Sequence, residues 1–197
     1  TTGTWGSREE LPWFEPSSNG YEASPVVSGY GLDENGNSAM VIWREPSGLA
    51  VTTKHSDVWT NVAYIPNTNG NSLWPSITRR LSGTFAVCWQ NNDAERIDYT
   101  EICYIGCGYN MSFLNAAQVS PSGWGANSRP SIAVNGDRTV IVTWQSFSNV
   151  IEGLSIHVRE KPTSGGWSST ITSFSGSSSG SKPCRARNSR RTSWLNG

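Results

Sequence analysis

Charge is scarce in this chain: only 15% of its 197 residues are Asp, Glu, Lys or Arg. Few runs combine Ala, Leu, Glu and Lys, which argues against a helical protein. No window holds eighteen consecutive apolar residues, and this excludes a membrane-spanning helix. The start carries no basic-then-apolar leader, so the chain reads as a mature form, a fragment or a cytosolic protein. Histidine is limited to His55 and His157, far in sequence from Cys103 and Cys107, and no spacing fits a zinc site. Neither a metal nor a cofactor is expected. The four cysteines, Cys88, Cys103, Cys107 and Cys184, allow one or two disulfides in an oxidising compartment or buried free thiols, and their pairing stays open.

The formal net charge is zero but unevenly spread. Up to Ser181 there are 10 basic and 15 acidic residues; Lys182, Arg185, Arg187, Arg190 and Arg191 then follow without an acid. The acidic body argues against nucleic acid as the partner. The basic end reads as a solvated tail or an anion-binding arm.

Glycine, serine, asparagine and threonine are abundant, and there are 10 tryptophans. This composition suits many short strands joined by turns. Trp5, Trp59, Phe113 and Trp167 recur every 54 residues, with Leu11, Ile65 and Val119 each 6 residues further on and Phe174 one place late. A polar linker then leads to a proline, Pro25, Pro75, Pro130 or Pro183. Three of these prolines open a first strand ("PVV", "PSI" and "PSI"); a turn follows, then a strand ending in tryptophan, at Trp43, Trp89 and Trp144, and then a third strand. The stretch "PSIAVNGDRTVIVTW" is the best-preserved copy, with Asn135 and Gly136 as a turn pair that tolerates positive φ.

Each unit is therefore read as four antiparallel strands. A lone meander of this size leaves a face and both edges exposed, and stacking such sheets around an axis removes the problem. The expected fold is an all-β β-propeller of four-stranded antiparallel blades, with blades at 24–66, 74–120 and 129–174. An outer strand at 1–14 and a segment at 182–197 would form a partial blade at the termini. Either the ring closes with four blades, or the chain is part of a larger ring that a homo-oligomer or further repeats complete.

The motifs "PSIAVNGD", "VIVTW", "IHVR" and "GGWSS" resemble the sialidase-like or BNR-like repeats of extracellular bacterial β-propellers. The resemblance covers nearly the whole chain and implies a secreted or cell-surface propeller, often one that meets glycans. The family's Asp-box (Ser/Thr-x-Asp-x-Gly-x-x-Trp) is missing, and no catalytic residue carries over.

Trp13, Trp74 and Trp124 fall outside the repeated framework, in stretches read as linkers before the next proline. An indole offers a rigid face for a sugar ring and one N–H donor, so these three are the ligand-binding candidates; the alternative is that each covers a seam between blades. The framework tryptophans are read as packing residues. Asp93, Glu95, Asp98 and Glu101 form the densest acidic group, which two-carboxylate glycoside hydrolysis would need. Asp93 and Glu95 lie in a hairpin loop, however, while Glu101 shares a strand face with Ile97, Tyr99 and Cys103. "DENGN" at 33–37 reads as a turn rather than a calcium loop, and "GSSSG" at 176–180 as linker rather than a nucleophile elbow. The expected function is non-catalytic, lectin-like binding of a glycan or, second, a protein, with no nucleic acid and no membrane span. The rivals are a sialidase-like glycoside hydrolase and a structural or protein-interaction repeat segment.

Overall fold

The computed structural model describes residues 25–29, 39–55, 58–81, 83–104, 110–121, 126–148, 153–175 and 185–186. The described residues are all-β, without a helix, and form three antiparallel sheets in chain order. The first comprises β1 (Val26–Gly29), β2 (Ala39–Glu45), β3 (Gly48–His55), β4 (Val58–Trp59) and β5 (Ala63–Tyr64). β4 and β5 pair with successive parts of β3, as two short pieces of one outer strand. The second is the meander β6 (Ser72–Leu81), β7 (Thr84–Asn91), β8 (Arg96–Cys103) and β9 (Ser112–Gln118). The third runs β10 (Ala126–Val134), β11 (Val140–Ser148), β12 (Gly153–Lys161), β13 (Thr172–Ser175) and β14 (Arg185–Ala186).

Side chains alternate between the two faces of a strand, and that alternation builds two cores in series between the sheets, with a smaller third cluster of Val41, Trp43 and Ala50 on the other face of the first sheet. Phe85, Val87 and Trp89 of β7 meet Met40, Ile42, Leu49 and Val51 of the first sheet. Their neighbours Ala86 and Cys88 turn the other way, onto Ile132, Val140, Val142 and Trp144 of the third. The middle sheet is thus covered on both sides, and Ile97 to Ile102 of β8 are buried without a break. Each framework tryptophan of β7 and β11 faces the preceding sheet, and Trp43, Trp89 and Trp144 are all buried. Burial of a side chain of this kind contributes roughly 1.5–3 kcal/mol.

The 54-residue aromatics sit near the outer strands but not at one fixed place. Trp59 closes β4, Phe113 is the second residue of β9, and Trp167 precedes β13. Trp167 packs edge-on to Tyr99, ring centroids 4.9 Å apart, under the Arg159 guanidinium. Trp5 lies outside the described residues.

The turn after β10 takes its positive φ at Arg138 (68°), while the tolerant pair Asn135 and Gly136 does not use it. Asn135 instead anchors it: its carbonyl accepts from the Arg138 N–H at 3.0 Å and its side-chain oxygen from the Thr139 N–H at 2.9 Å. One expectation needs correction: Pro75 and Pro130 do not open their strands; each sits inside one, at a bulge.

Candidate functional site

The bulges at these prolines create the site. A proline has no N–H to give the ladder, so within a sheet it is confined to edges and bulges. In β6 the register jumps from Leu73↔Gln90 to Ser76↔Cys88, leaving Trp74 and Pro75 opposite Trp89 alone. In β10 it jumps from Ser128↔Gln145 to Ser131↔Thr143, leaving Arg129 and Pro130 opposite Trp144. The residue before each proline takes a left-handed conformation, φ 51° at Trp74 and 49° at Arg129. Such a conformation costs an L-residue about 1–2 kcal/mol, and the surrounding ladder has to hold it.

β6 lies against both β1 and β10, so these first strands converge. A 420 Å³ cavity opens there, lined by Pro25, Val26, Trp74, Pro75, Arg129 and Pro130 together with Ser76. The Arg129 guanidinium lies 5.7 Å from the centroid of the Trp74 ring, and Trp74 remains 42% exposed. Arg129 is the single charged residue among these lining residues, and prolines form much of the wall. The cavity thus offers an aromatic face and a cation with five donors, which suits a ring bearing acceptor oxygens. Hydrogen bonds between sheets fix its walls: the Ile132 N–H donates to Ser76 Oγ at 3.2 Å and Asn127 Nδ2 to the Glu95 carbonyl at 2.8 Å.

Of the candidate tryptophans, Trp74 belongs to β6 itself rather than to a linker. Trp13 and Trp124 lie outside the described residues, as do "DENGN" and "GSSSG". The missed participant is Arg129. Its signal was its place directly before Pro130, matching Trp74 before Pro75.

The acidic group does not converge. Asp93 and Glu95 are exposed in the β7–β8 turn, where Asp93 accepts from Asn69 Nδ2 (2.8 Å) and Asn71 Nδ2 (2.7 Å). Asp98 stands opposite Trp89 on the face toward the first sheet, and Glu101 stands opposite Ala86 on the face toward the third. Glu101 accepts from Arg80, from Tyr99 Oη at 2.7 Å, from Asn115 Nδ2 at 3.1 Å and from Lys161 Nζ at 3.2 Å. Burial works to raise its pKa, but the Tyr99 hydroxyl, Arg80, Asn115 and Lys161 outweigh it and hold the carboxyl below its ordinary value. Burial, and next the hydrogen bond to Glu101, drive the Tyr99 hydroxyl far upward. The group is an ionised clamp between sheets, not an acid–base pair.

His157 is buried between Ser146 Oγ, 2.5 Å from Nε2, and Ser173 Oγ, 2.7 Å from Nδ1, and burial lowers its pKa. Cys103 is in a disulfide whose partner lies outside the described residues, while Cys88 is a buried free thiol. Among the described residues no group of three or more His, Cys, Asp or Glu is placed to hold a metal ion. Among the described residues no helix is long and apolar enough to cross a membrane. No family model matches the chain, and no curated protein matches it.

Proposed function

We propose that this chain is a segment of a secreted or cell-surface β-propeller of the sialidase-like repeat type, and that it binds carbohydrate without catalysis. The observation that carries the reading is the cavity where the first strands converge, with Trp74 exposed beneath Arg129. Convergence of equivalent strands, and sheets that each turn the same face to their predecessor, support an arrangement around an axis. The opposed directions of Asp98 and Glu101 favour binding over two-carboxylate hydrolysis.

A glycan array of neutral and acidic structures tests this, followed by calorimetry on the best ligand. Replacing Trp74 by alanine should weaken that ligand about tenfold, or ~1.4 kcal/mol. Replacing Arg129 by methionine should weaken acidic glycans more than neutral ones. An array without binders, or an affinity indifferent to Trp74→Ala, refutes the carbohydrate reading. Capture of a protein at the same cavity would replace it with the protein-ligand one.

A further inference from the structure

The third sheet is covered on one face only. Along β11, Val142, Trp144 and Ser146 are buried on the side of the middle sheet, whereas Thr143 and Gln145 between them are half-buried and Phe147 is 52% exposed. β12 continues the pattern: His157 and Lys161 turn inward and are buried, while Leu154 and Ile156 are 50% and 37% exposed on the outer face. Cross-strand pairing joins these residues into one patch, since Phe147 stands opposite Leu154 and Ile156 opposite Phe174 of β13. Apolar side chains exposed singly are ordinary, but a contiguous group marks an interaction surface.

The middle sheet shows what such a face meets within the chain. With Trp89 and Trp144 aligned, Ile156 and Phe174 take the places of Ile97 and Val119, which are fully buried in the second core. The two faces differ at the hairpin end. The β7–β8 ladder stops at Asn91↔Arg96, but the β11–β12 ladder runs two pairs further, through Phe147↔Leu154 and Ser148↔Gly153. In the middle sheet the corresponding Asn92 and Glu95 are exposed turn residues, and the third sheet meets that end with a polar group, Asn127 Nδ2 on the Glu95 carbonyl at 2.8 Å. First strands of this repeat carry a polar residue three places before their proline, Asn127 in β10 and Ser72 in β6. A further sheet of the same kind would set that residue against Phe147 and Leu154. The extension calls for an apolar partner instead.

A head-to-tail stack of chains would need the outer face of the first sheet. That face is closed at its centre, where Val41, Trp43 and Ala50 are buried with Trp59 and Val62 packed against them. A second copy presenting the same face does supply the apolar counterpart, and a two-fold contact leaves neither face over. Charge permits it. Among the outward-facing residues of β11 to β13, Glu160 alone is charged, and it lies six residues from Leu154, or ~20 Å along β12. With the strands of the two copies antiparallel, the two carboxylates stay at opposite ends of the contact. Three strands of nine residues and one of four make a face of about 500 Å². Two such faces reach the ~1,000 Å² at which specific association begins. We infer that the outer face of the third sheet is a self-association surface, on which a second copy of this chain docks through Phe147, Leu154, Ile156 and Phe174 in a two-fold dimer.

The dimer does not rest on the carbohydrate reading, since neither Trp74 nor Arg129 belongs to the patch. Sedimentation of the folded chain from micromolar to millimolar concentration tests it, and a reversible monomer–dimer equilibrium without larger species is expected. Leu154→Lys and Phe147→Lys should each weaken the dimer at least about tenfold. Both side chains are about half exposed, so the thermal midpoint of dilute protein should hold. Should either lysine variant melt early, Leu154→Ser gives the same readout without adding a charge. Val58→Lys, at an exposed residue of the first sheet, should leave the dimer intact. A chain that stays monomeric at every concentration overturns the inference. So does a dimer indifferent to all three substitutions in the patch, or one lost in Val58→Lys. Growth beyond the dimer would show a head-to-tail contact and overturns the two-fold arrangement.

Discussion

Removing the Glu101 carboxylate should unfasten the second sheet from the third. Glu101 on β8 accepts from Arg80 on β6, from Tyr99 and Asn115 of its own sheet, and from Lys161 on β12 of the next. Arg80 also donates to the Pro162 carbonyl at 3.3 Å, so the clamp spans the interface twice. The side chains of Arg80 and Glu101 are 4% and 5% exposed, and solvent screens this pair little. Breaking a buried pair by deleting one partner costs about 3–5 kcal/mol, since the other charge stays buried and unpaired. Glu101→Ala should therefore lower the thermal midpoint by roughly 6–20 °C in a chain of this size. In a double-mutant cycle with Arg80→Ala, coupling of about 0.5–3 kcal/mol is expected. The acid limb supplies a second readout. Because the folded-state pKa of Glu101 is depressed, its contribution is complete above the unfolded value of ~4.3 and is lost as pH falls through the lower folded value. Glu101→Gln should flatten that part of the stability–pH curve below about pH 4.3. A loss under ~1 kcal/mol for Glu101→Ala, or additive singles in the cycle, would refute the clamp.

Two smaller perturbations test the local readings. Arg138 is exposed at φ 68°, so Arg138→Gly should relieve left-handed strain and raise stability by about 0.5–1 kcal/mol, read by chemical denaturation; a decrease would contradict the turn geometry. Cys88 is fully buried and burial pushes its thiol far above the ordinary range. A maleimide should therefore leave it unlabelled in the native chain and modify it once denaturant is added, and rapid native labelling would show that the second core is open.

The part of the fold legible in the sequence was the part that repeats. "VIW", "VCW" and "VTW" set a period of two toward a buried tryptophan, and alternation alone then fixed which residues of β7 face which neighbour. The bulges were not legible. A residue before proline is ordinarily extended, yet Trp74 and Arg129 are left-handed because an in-strand proline forces two residues opposite one. The Glu101 clamp was hidden for another reason: Arg80 lies 21 residues away along the chain and Lys161 60. Strand alternation gave the face of Glu101 but not the cations that meet it there.

Chemistry is more visible where copies of the unit disagree than where they match. The paired positions before Pro75 and Pro130 carry an aromatic in one copy and a cation in the next, and only their convergence makes a mixed site of them. Aligning the same prolines sets Ser72 beside Asn127, and that difference already implies that Trp89 lacks the acceptor Trp144 enjoys. A buried tryptophan kept for packing alone needs its ring and not its N–H. Ser72→Asn is the corresponding structural experiment. If the asparagine reaches Trp89 Nε1 as Asn127 reaches Trp144, stability should rise by about 1 kcal/mol. Unchanged or lower stability in Ser72→Asn would refute the reading that the serine at this place is what leaves the Trp89 N–H without an acceptor.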